Sequence, residues 1–159
     1  NLLSSIIDLL KPHGNVYISS ERNLPSIFHK YILSMNPKLI HHAIYFSDLF
    51  ISDSQSMTVE SCILGTPSIR YSDFVGRISV LEKLEYKYKL TIGITPDGNG
   101  AIISKIKEIV AMHGLKDEWQ RRRENMLKEM IDVTPFIANM LEKFSSRKMK
   151  LPITGLTKI

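Results

Sequence analysis

SDLFISDSQSMTVESCILGTPSIRY, residues Ser47–Tyr71, predicts a strand, a polar elbow, a helix, a turn and a second strand in that order. The apolar run around Phe50 is typical of a strand buried on both faces. Small polar residues follow it, and Gly65 is placed to end the helix in the left-handed conformation. A strand, a helix and a strand in succession predict a parallel unit, in which ligands bind beyond the carboxyl ends of the strands. The polar elbow lies at such an end.

The rest of the chain extends this alternation of strands and helices. The predicted strands are 16–18, 49–51, 68–71 and 88–94. The predicted helices are 2–10, 25–35, 39–46, 57–64, 78–84 and 102–110, followed by two C-terminal helices. Four strands separated by helices indicate an α/β fold: a doubly wound, Rossmann-like parallel sheet with helices on both faces and a helical C-terminal extension.

The predicted domain organisation has three parts. Residues 1–114 carry the α/β pattern, residues 115–147 carry two apolar-striped helices, and residues 148–159 read as a flexible tail. Thr134 is predicted to cap the last helix, with Pro135 at its first position. The chain opens directly on an apolar helix that needs a partner to pack against, so we expect it to be a fragment of a longer protein.

Composition and charge narrow the function classes. A content of 43% hydrophobic and 23% charged residues is ordinary for a soluble globular protein. The net charge of +5 arises in the second half, because residues 1–75 hold 5 Lys/Arg and 6 Asp/Glu whereas residues 76–159 hold 16 and 10. No aromatic residues are interleaved with these basic residues, so a solvated helix face or contact with an anionic membrane is favoured over nucleic-acid binding.

The sequence also bears on location and on thiol chemistry. The single cysteine, Cys62, excludes an internal disulfide, suits a reducing compartment and falls on an apolar helix, which predicts a buried, inert thiol. The opening apolar stretch is too short and too polar to span a bilayer, and it lacks the basic leader of a secretory signal. We therefore expect a cytoplasmic protein, with the inner face of the membrane as a second location.

The elbow has the residues of a phosphate site. The start of a helix presents unpaired backbone N–H groups and the positive end of the helix dipole, so Ser54, Gln55 and Ser56 can hold a phosphate without a lysine. The hydroxyls of Ser54, Ser56 and Thr58 would add donors. The alternative is that one of these serines merely caps its own helix. The chain has neither a Walker-type lysine motif nor a Gly-x-Gly-x-x-Gly fingerprint.

Glu60 is the second candidate of this region. If Ser56 caps the helix, Glu60 is the fourth helical residue, one beyond the place from which a glutamate reaches back to the cap. A carboxylate one turn from a phosphate site can accept both hydroxyls of a ribose. The alternative is that its charge simply complements the helix dipole.

The run from Ser54 to Pro67 resembles the C-terminal half of GT-B-type proteins, which include nucleotide-sugar glycosyltransferases and the non-hydrolysing UDP-N-acetylglucosamine 2-epimerases. It is most similar to an uncharacterised bacterial and archaeal family with the pattern Gly-Gly-Thr-Met-Thr-Arg-Glu, followed five positions after the glutamate by Gly-Thr-Pro. Glu60 and Gly65 have that spacing. The resemblance implies that Glu60 holds the nucleotide ribose and that the elbow, Ser54, Gln55, Ser56, Met57 and Thr58, holds the diphosphate.

Four more residues are candidates for nucleotide contacts. The resemblance places Arg22 and Asn23 in a region where such domains touch the base. Arg70 and Arg77 follow the elbow in sequence and would neutralise the diphosphate, or else pair with Asp73 at the surface.

The sequence departs from the family patterns in two places. Ser54 and Gln55 replace the usual glycine pair, so their side chains would crowd a close-approaching phosphate. The epimerases' tandem glutamate is Val59-Glu60 here, and their Thr-Glu-Arg-Pro-Glu segment is missing. A transferase-like protein is therefore favoured over an epimerase.

The leading hypothesis is the UDP-sugar-binding half of a GT-B-like glycosyltransferase-type enzyme of bacterial surface-polysaccharide metabolism. The resemblance implies an N-terminal GT-B domain of the same full-length chain as partner, which would supply the general base, so the fragment alone would be inactive. No cofactor or metal is expected, because the histidines lack ligand spacing. The helices after Lys116 would pack on the α/β domain itself or across the junction with the missing N-terminal domain, and in the second case Trp119 would lie in an interdomain core. The alternatives are a 2-epimerase-like enzyme and a non-catalytic α/β binding module.

Overall fold

The computed structural model of the chain describes residues 1–96 and 99–146. They belong to two compact units, the first spanning Asn1–Met126 and the second beginning at Leu127. In chain order the helices are α1 (Leu2–Leu10), α2 (Ile40–Phe46), α3 (Gln55–Leu64), α4 (Ser79–Glu82), α5 (Asn99–Val110), α6 (Leu115–Glu129) and α7 (Val133–Ser146). The strands are β1 (Phe50–Ser52), β2 (Ser68–Tyr71) and β3 (Thr91–Ile94). Two 3₁₀ helices, Ser26–Tyr31 and Pro37–Leu39, precede α2, and a π-helix, Lys83–Lys87, continues α4.

The three strands form one parallel sheet in the order β1-β2-β3. Ile51 is in register with Ile69, and Ile69 with Ile92. Helix α3 connects the first pair of strands and α4 the second pair, as parallel pairing requires. The carboxyl ends of all three strands therefore lie along one edge of the sheet, and the polar elbow is at that edge.

Helices pack against both faces of the sheet, because side chains alternate along each strand. On one face Ile69 and Ile94 join a buried cluster with Ile102, Ile106 and Ile109 of α5, and α1 adds partly buried apolar side chains. The opposite face meets a second cluster. It comprises Cys62 of α3, Leu81 and Leu84, Tyr88, Leu90, and Trp119 and Met126 of α6. The predicted α/β architecture, with a parallel sheet between helices, is confirmed at this level.

The predicted strand over 16–18 is wrong. Tyr17 is 65% exposed, and this segment forms only an isolated parallel bridge between Ile18 and Ile32. That bridge also explains why the helix predicted over 25–35 is shorter, since Ile32 is drawn into an extended conformation directly after the 3₁₀ helix Ser26–Tyr31. The described sheet thus has three strands instead of four.

The predicted strand over 88–94 is shortened for a different reason. Lys89 has a left-handed backbone with φ 57°, which turns the chain between the π-helix and β3. Leu90, just before β3, packs in one apolar cluster, whereas Ile92 and Ile94 pack in the other. The wet face expected for this strand is absent from the described part of β3, because Thr91 is buried on that side.

Helix α6, as far as Met126, belongs to the first unit. Trp119 is 2% exposed, and its indole Nε1 donates to the Leu90 carbonyl at 2.8 Å. Trp119 therefore packs within the first unit, with Cys62, Leu81 and Leu90, which agrees with the alternative that the C-terminal helices pack on the α/β domain and not with an interdomain position. The boundary predicted between 114 and 115 differs from the division of the units, which lies after Met126.

The second unit contributes α7. Its first turn is capped by Asp132, whose Oδ1 accepts from the Thr134 N–H at 3.0 Å, so Thr134 is not the predicted cap and Pro135 is the third helical residue. The predicted tail over 148–159 lies outside the described residues. In the part of the chain that is described, no helix has the length and apolar character needed to cross a membrane.

Candidate functional site at the carboxyl edge of the sheet

The elbow between β1 and α3 is a tight, capped helix start. Ser54 is the N-cap, with extended φ −80° and ψ 127°, and its Oγ accepts from the Met57 N–H at 3.4 Å. The Ser54 N–H in turn donates to the Ser52 Oγ at 2.9 Å. The expectation that one of the elbow serines caps its own helix is confirmed, and the cap is Ser54, two residues before the Ser56 considered in placing Glu60. A capping serine after a buried strand fixes the direction in which the first amides of α3 point.

Two backbone N–H groups of the elbow have no hydrogen-bond partner among the described residues. In α3 the first N–H bonded to a backbone carbonyl is that of Thr58, which donates to the Ser54 carbonyl at 3.2 Å. Met57 donates to the cap. Among the described residues, no hydrogen bond involves the backbone N–H of Gln55 or Ser56. These are the amides that the N-terminus of a helix offers to an anion.

One hydroxyl of the elbow is buried and bonded within the helix, and another is exposed to solvent. Thr58 is fully buried and its Oγ1 donates to the Ser54 carbonyl at 2.7 Å, so it is committed within the helix. Ser56 is exposed, and its Oγ lies 3.3 Å from the Ser54 Oγ. Of the five residues predicted for the diphosphate, Ser56 therefore presents both a backbone and a side-chain donor to solvent.

The Gln55 side chain spans the edge of the sheet. Its Nε2 donates to the Ser72 Oγ at 2.7 Å and to the Asp53 carbonyl at 3.3 Å. Its Oε1 accepts from Nη1 of Arg70 at 3.2 Å. Gln55 thus joins the helix start to β2 and to the loop that follows it.

Arg70 is a buried cation at the centre of this edge. It is fully buried, and its Nη2 lies 3.2 Å from Glu82 Oε1 and 3.4 Å from Glu85 Oε2. The suggested pair with Asp73 is wrong, since these two glutamates are its partners. Its Nε is buried without a hydrogen-bond partner in the described structure. The Arg70 side chain has no exposed surface. The prediction that it neutralises a diphosphate stays a prediction.

The two carboxylates that pair with Arg70 also accept hydrogen bonds from backbone N–H groups. Glu82 Oε1 accepts from the Gly76 N–H at 3.0 Å, and Glu85 Oε1 accepts from the Gly93 N–H at 2.8 Å. The loop after β2, strand β3 and helix α3 are therefore fastened to one ion cluster. Sequence reasoning missed Glu82 and Glu85. The available signal was that Arg70 shares its sheet face with Ser68, which marks a polar patch between β2 and the following helix.

Glu60 lies on the outer side of α3. It is the sixth residue of the helix, and its Oε2 is 2.8 Å from Nε2 of His41 on α2. The side chains of Glu60 and His41 are 37% and 55% exposed. Glu60 follows Ser56 by four residues, so both side chains lie on the same side of the helix, about 6 Å apart along its axis. Sequence reasoning considered His41 only as a metal ligand and missed this pair.

The remaining candidates are exposed loop residues. Arg22 and Asn23 lie in a bend where the Ser20 Oγ accepts from the Arg22 N–H and donates to the Arg22 carbonyl. Arg77 is in the loop after β2. No hydrogen bond or ion pair in the described residues links the side chains of Arg22, Asn23 or Arg77 to the elbow. Their predicted roles stay predictions.

Cys62 is confirmed as a buried thiol. It is fully buried, and burial raises its pKa to about 12, with smaller opposing effects from Ser68, Ser61 and Arg70. The protonated thiol is a poor nucleophile, which agrees with the inert role expected for it. Within residues 1–96 and 99–146, no group of three or more His, Cys, Asp or Glu side chains is arranged to hold a metal ion.

Two open cavities lie away from the elbow. One, of about 370 Å³, is lined by residues that include His13, Asp48 and Leu115. The other, of about 310 Å³, is lined by residues that include Glu85, Thr91 and Trp119. Neither lining includes Gln55, Ser56 or Glu60. Comparison of the chain with models of known protein families, with curated proteins and with solved structures found no match.

Proposed function

We propose that this chain is the nucleotide-sugar-binding half of a GT-B-like, glycosyltransferase-type enzyme, with a UDP-sugar as its ligand. The observation that carries the proposal is the pair of unengaged N–H groups at Gln55 and Ser56, at the start of a ten-residue helix beside the carboxyl end of a parallel strand. The helix dipole and these donors favour a diphosphate at this position. Parallel sheets bind their ligands beyond this edge.

The position of Glu60 supports a nucleoside beside that diphosphate. A phosphate held by Ser56 lies at the start of α3, and the Glu60 carboxylate follows about one helical turn later on the same side. His41 contacts Oε2 of Glu60, which leaves Oε1 to accept a ribose hydroxyl. The nucleoside would then run along the outer side of α3.

The same backbone amides would also stabilise the diphosphate as it leaves the sugar during transfer. As the sugar leaves, negative charge grows on the diphosphate, and donors already fixed by the Ser54 cap stabilise that charge. The sugar would sit in the cleft between this domain and a second, GT-B N-terminal domain that supplies the general base, so the chain alone is expected to bind and not to transfer. The proposal also assigns the protein to surface-polysaccharide metabolism in the cytoplasm, as the resemblance implies.

The backbone donors are tested by comparing Gln55→Pro with Gln55→Ala in calorimetric titrations with UDP, UDP-N-acetylglucosamine and a GDP-sugar. Both variants remove the side chain that contacts Arg70 and Ser72, but only proline removes the N–H. Proline is well tolerated at the first position of a helix, and Ser54 already has the extended conformation that precedes proline. We expect Gln55→Pro to bind UDP at least about tenfold more weakly than Gln55→Ala, the worth of one hydrogen bond to a charged group. Equal affinities would remove the elbow amides from the site.

The ribose contact is tested separately with Glu60→Ala. We expect a loss of about tenfold for UDP and no loss for inorganic pyrophosphate, because pyrophosphate lacks the ribose. Glu124→Ala is the matched control, since it removes an exposed glutamate from another helix and changes the net charge equally. If Glu60→Ala and Glu124→Ala bind UDP alike, Glu60 has no part in recognition. If no nucleotide stabilises the wild-type chain, the chain is a binding module for another partner.

A further inference from the structure

Helix α7 exposes a continuous apolar stripe. Six of its side chains recur at three- and four-residue spacing, the pattern that places them on one side of a helix. They are Val133, Phe136, Ile137, Met140, Leu141 and Phe144, which are between 40% and 60% exposed. Leu127, Met130 and Ile131, just before α7, are likewise exposed. Such a stripe is normally buried against another surface.

The length of α7 determines how it can meet a membrane. With 14 residues it is about 21 Å long, whereas the hydrocarbon core of a bilayer is about 30 Å thick. It is too short to cross. A helix with one apolar side and one polar side, which carries Asn139 and Ser145, lies in the plane of the interface instead.

The sequence at and beyond the end of α7 indicates the occupant, through charge alone for residues 147–159, which lie outside the described structure. From Lys143 to Ile159 the sequence contains five basic residues and no Asp or Glu. The basic residues are Lys143, Arg147, Lys148, Lys150 and Lys158. A bilayer with anionic lipids offers both an apolar layer for the stripe and negative headgroups for this segment. A second copy of the chain would bring the same positive charge to the contact, which disfavours self-association.

We propose that α7 docks on an anionic lipid surface, with its apolar stripe in the boundary between headgroups and acyl chains and the basic segment after Glu142 on the headgroups. This inference is independent of the nucleotide site, because α7 and the elbow lie in different compact units. It follows that the chain attaches to membranes through a single short helix and can be released from them by salt.

Vesicle flotation with the whole chain tests the proposal. Wild-type protein should float with phosphatidylcholine vesicles that contain phosphatidylserine, bind pure phosphatidylcholine at least about tenfold more weakly, and dissociate in high salt. Replacing Arg147, Lys148 and Lys150 by Gln should weaken binding by about fivefold for each residue, or about a hundredfold together. Wild-type protein that floats with neither vesicle, or equally with both, overturns the proposal even if every variant misfolds.

The stripe is tested with a charge-matched pair of variants. Ile137→Glu with Leu141→Glu places two carboxylates on the apolar side and should abolish flotation. Asn139→Glu with Ser145→Glu adds the same charge on the polar side and should retain most of it. Circular dichroism and thermal melting establish that both variants fold. If the two pairs bind alike, the stripe does not enter the lipid. If the wild type instead forms a dimer that the stripe variant breaks, and no vesicle is bound, the occupant is a second copy and the proposal fails.

Discussion

Arg70 acts as a buried connection between three parts of the chain. Its guanidinium contacts Gln55 at the start of α3, Glu82 at the end of α4 and Glu85 in the π-helix. The two carboxylates also accept from the N–H groups of Gly76 and Gly93. A planar, always charged fork can serve several acceptors in fixed directions, which a lysine cannot. Removing the cation would leave two carboxylates without compensation, a change that costs about 3 kcal/mol at partly buried sites.

The space for this cluster depends on Gly93. A Cβ at this position would lie 2.7 Å from Glu85 Oε2 and 2.9 Å from Val75 Cγ1. We expect Gly93→Ala to lower the free energy of unfolding by about 1–3 kcal/mol, because the carboxylate or the strand must move. Urea unfolding followed by circular dichroism measures this change. Gly14→Ala is the control, since nothing lies within 4 Å of its added Cβ, and it should change stability by less than about 0.5 kcal/mol. Equal effects of the two substitutions would show that Gly93 is not constrained.

At the level of residues, the sequence predicts local chemistry better than distant pairing. The capped elbow could be expected, because small polar residues follow a short apolar run, and one of its serines, Ser54, is the cap. The pairs Arg70–Glu85 and His41–Glu60 join residues 15 and 19 apart in sequence. Nothing local marks such partners, since they depend on how α2, α3 and α4 pack. An arginine within a strand also suggests an exposed edge, whereas Arg70 is fully buried.

Side chains of α6 complete the hydrogen bonding at the C-terminal end of α3. Gly65 ends α3 in the left-handed conformation, with φ 74°. Gln120 Nε2 then donates to the Leu64 carbonyl at 3.0 Å and to the Gly65 carbonyl at 3.2 Å, and Arg123 Nε donates to the Ile63 carbonyl. These are the carbonyls that a helix end leaves without partners. The end of α3 therefore forms part of the docking surface for α6.

We expect Gln120→Ala to lower the free energy of unfolding by about 1–2 kcal/mol, because the carbonyls of Leu64 and Gly65 lose a donor in a partly buried place. Asn125→Ala is the control, as it removes an exposed amide side chain from the same helix. Chemical unfolding of the two variants checks this. The interpretation fails if Gln120→Ala is no less stable than Asn125→Ala.

At the level of elements, periodicity predicted helices more reliably than strand ends. The spacing of Ile102, Ile106 and Ile109 gave α5 correctly, since these three residues are buried in one cluster. For β3 an apparently regular alternation was misleading, because the chain turns at the left-handed Lys89 and the strand begins only at Thr91. The candidate strand at 16–18 was short, and for short runs the pairing partner decides whether a strand forms.

Over the whole molecule, the α/β core includes most of α6. Trp119 and Met126 are among its fully or nearly fully buried side chains, and they pack with Cys62, Leu81 and Leu90. The sequence suggested a break before α6, because the alternation of strands and helices ends there. Strand and helix patterns identify elements, but they do not reveal which surface an amphipathic helix covers.

Truncation tests this division. A chain that ends at residue 131 should unfold cooperatively in urea, whereas a chain that ends at residue 114 should not. The shorter chain uncovers one face of the sheet, and losing a single buried tryptophan already costs about 3–5 kcal/mol, much of the stability of a small domain. Far-UV circular dichroism during unfolding distinguishes the two. Equal midpoints for both chains would mean that α6 is dispensable to the core.

The setting of Trp119 has a practical consequence. It is the single tryptophan of the chain, its ring lies under the Arg122 guanidinium at 4.2 Å, and its N–H is held by the backbone of Leu90. Its fluorescence emission therefore comes from one nearly fully buried position in the core of the first unit. A red shift of that emission would signal water entering this spot, so the protein carries an intrinsic optical probe of its own integrity.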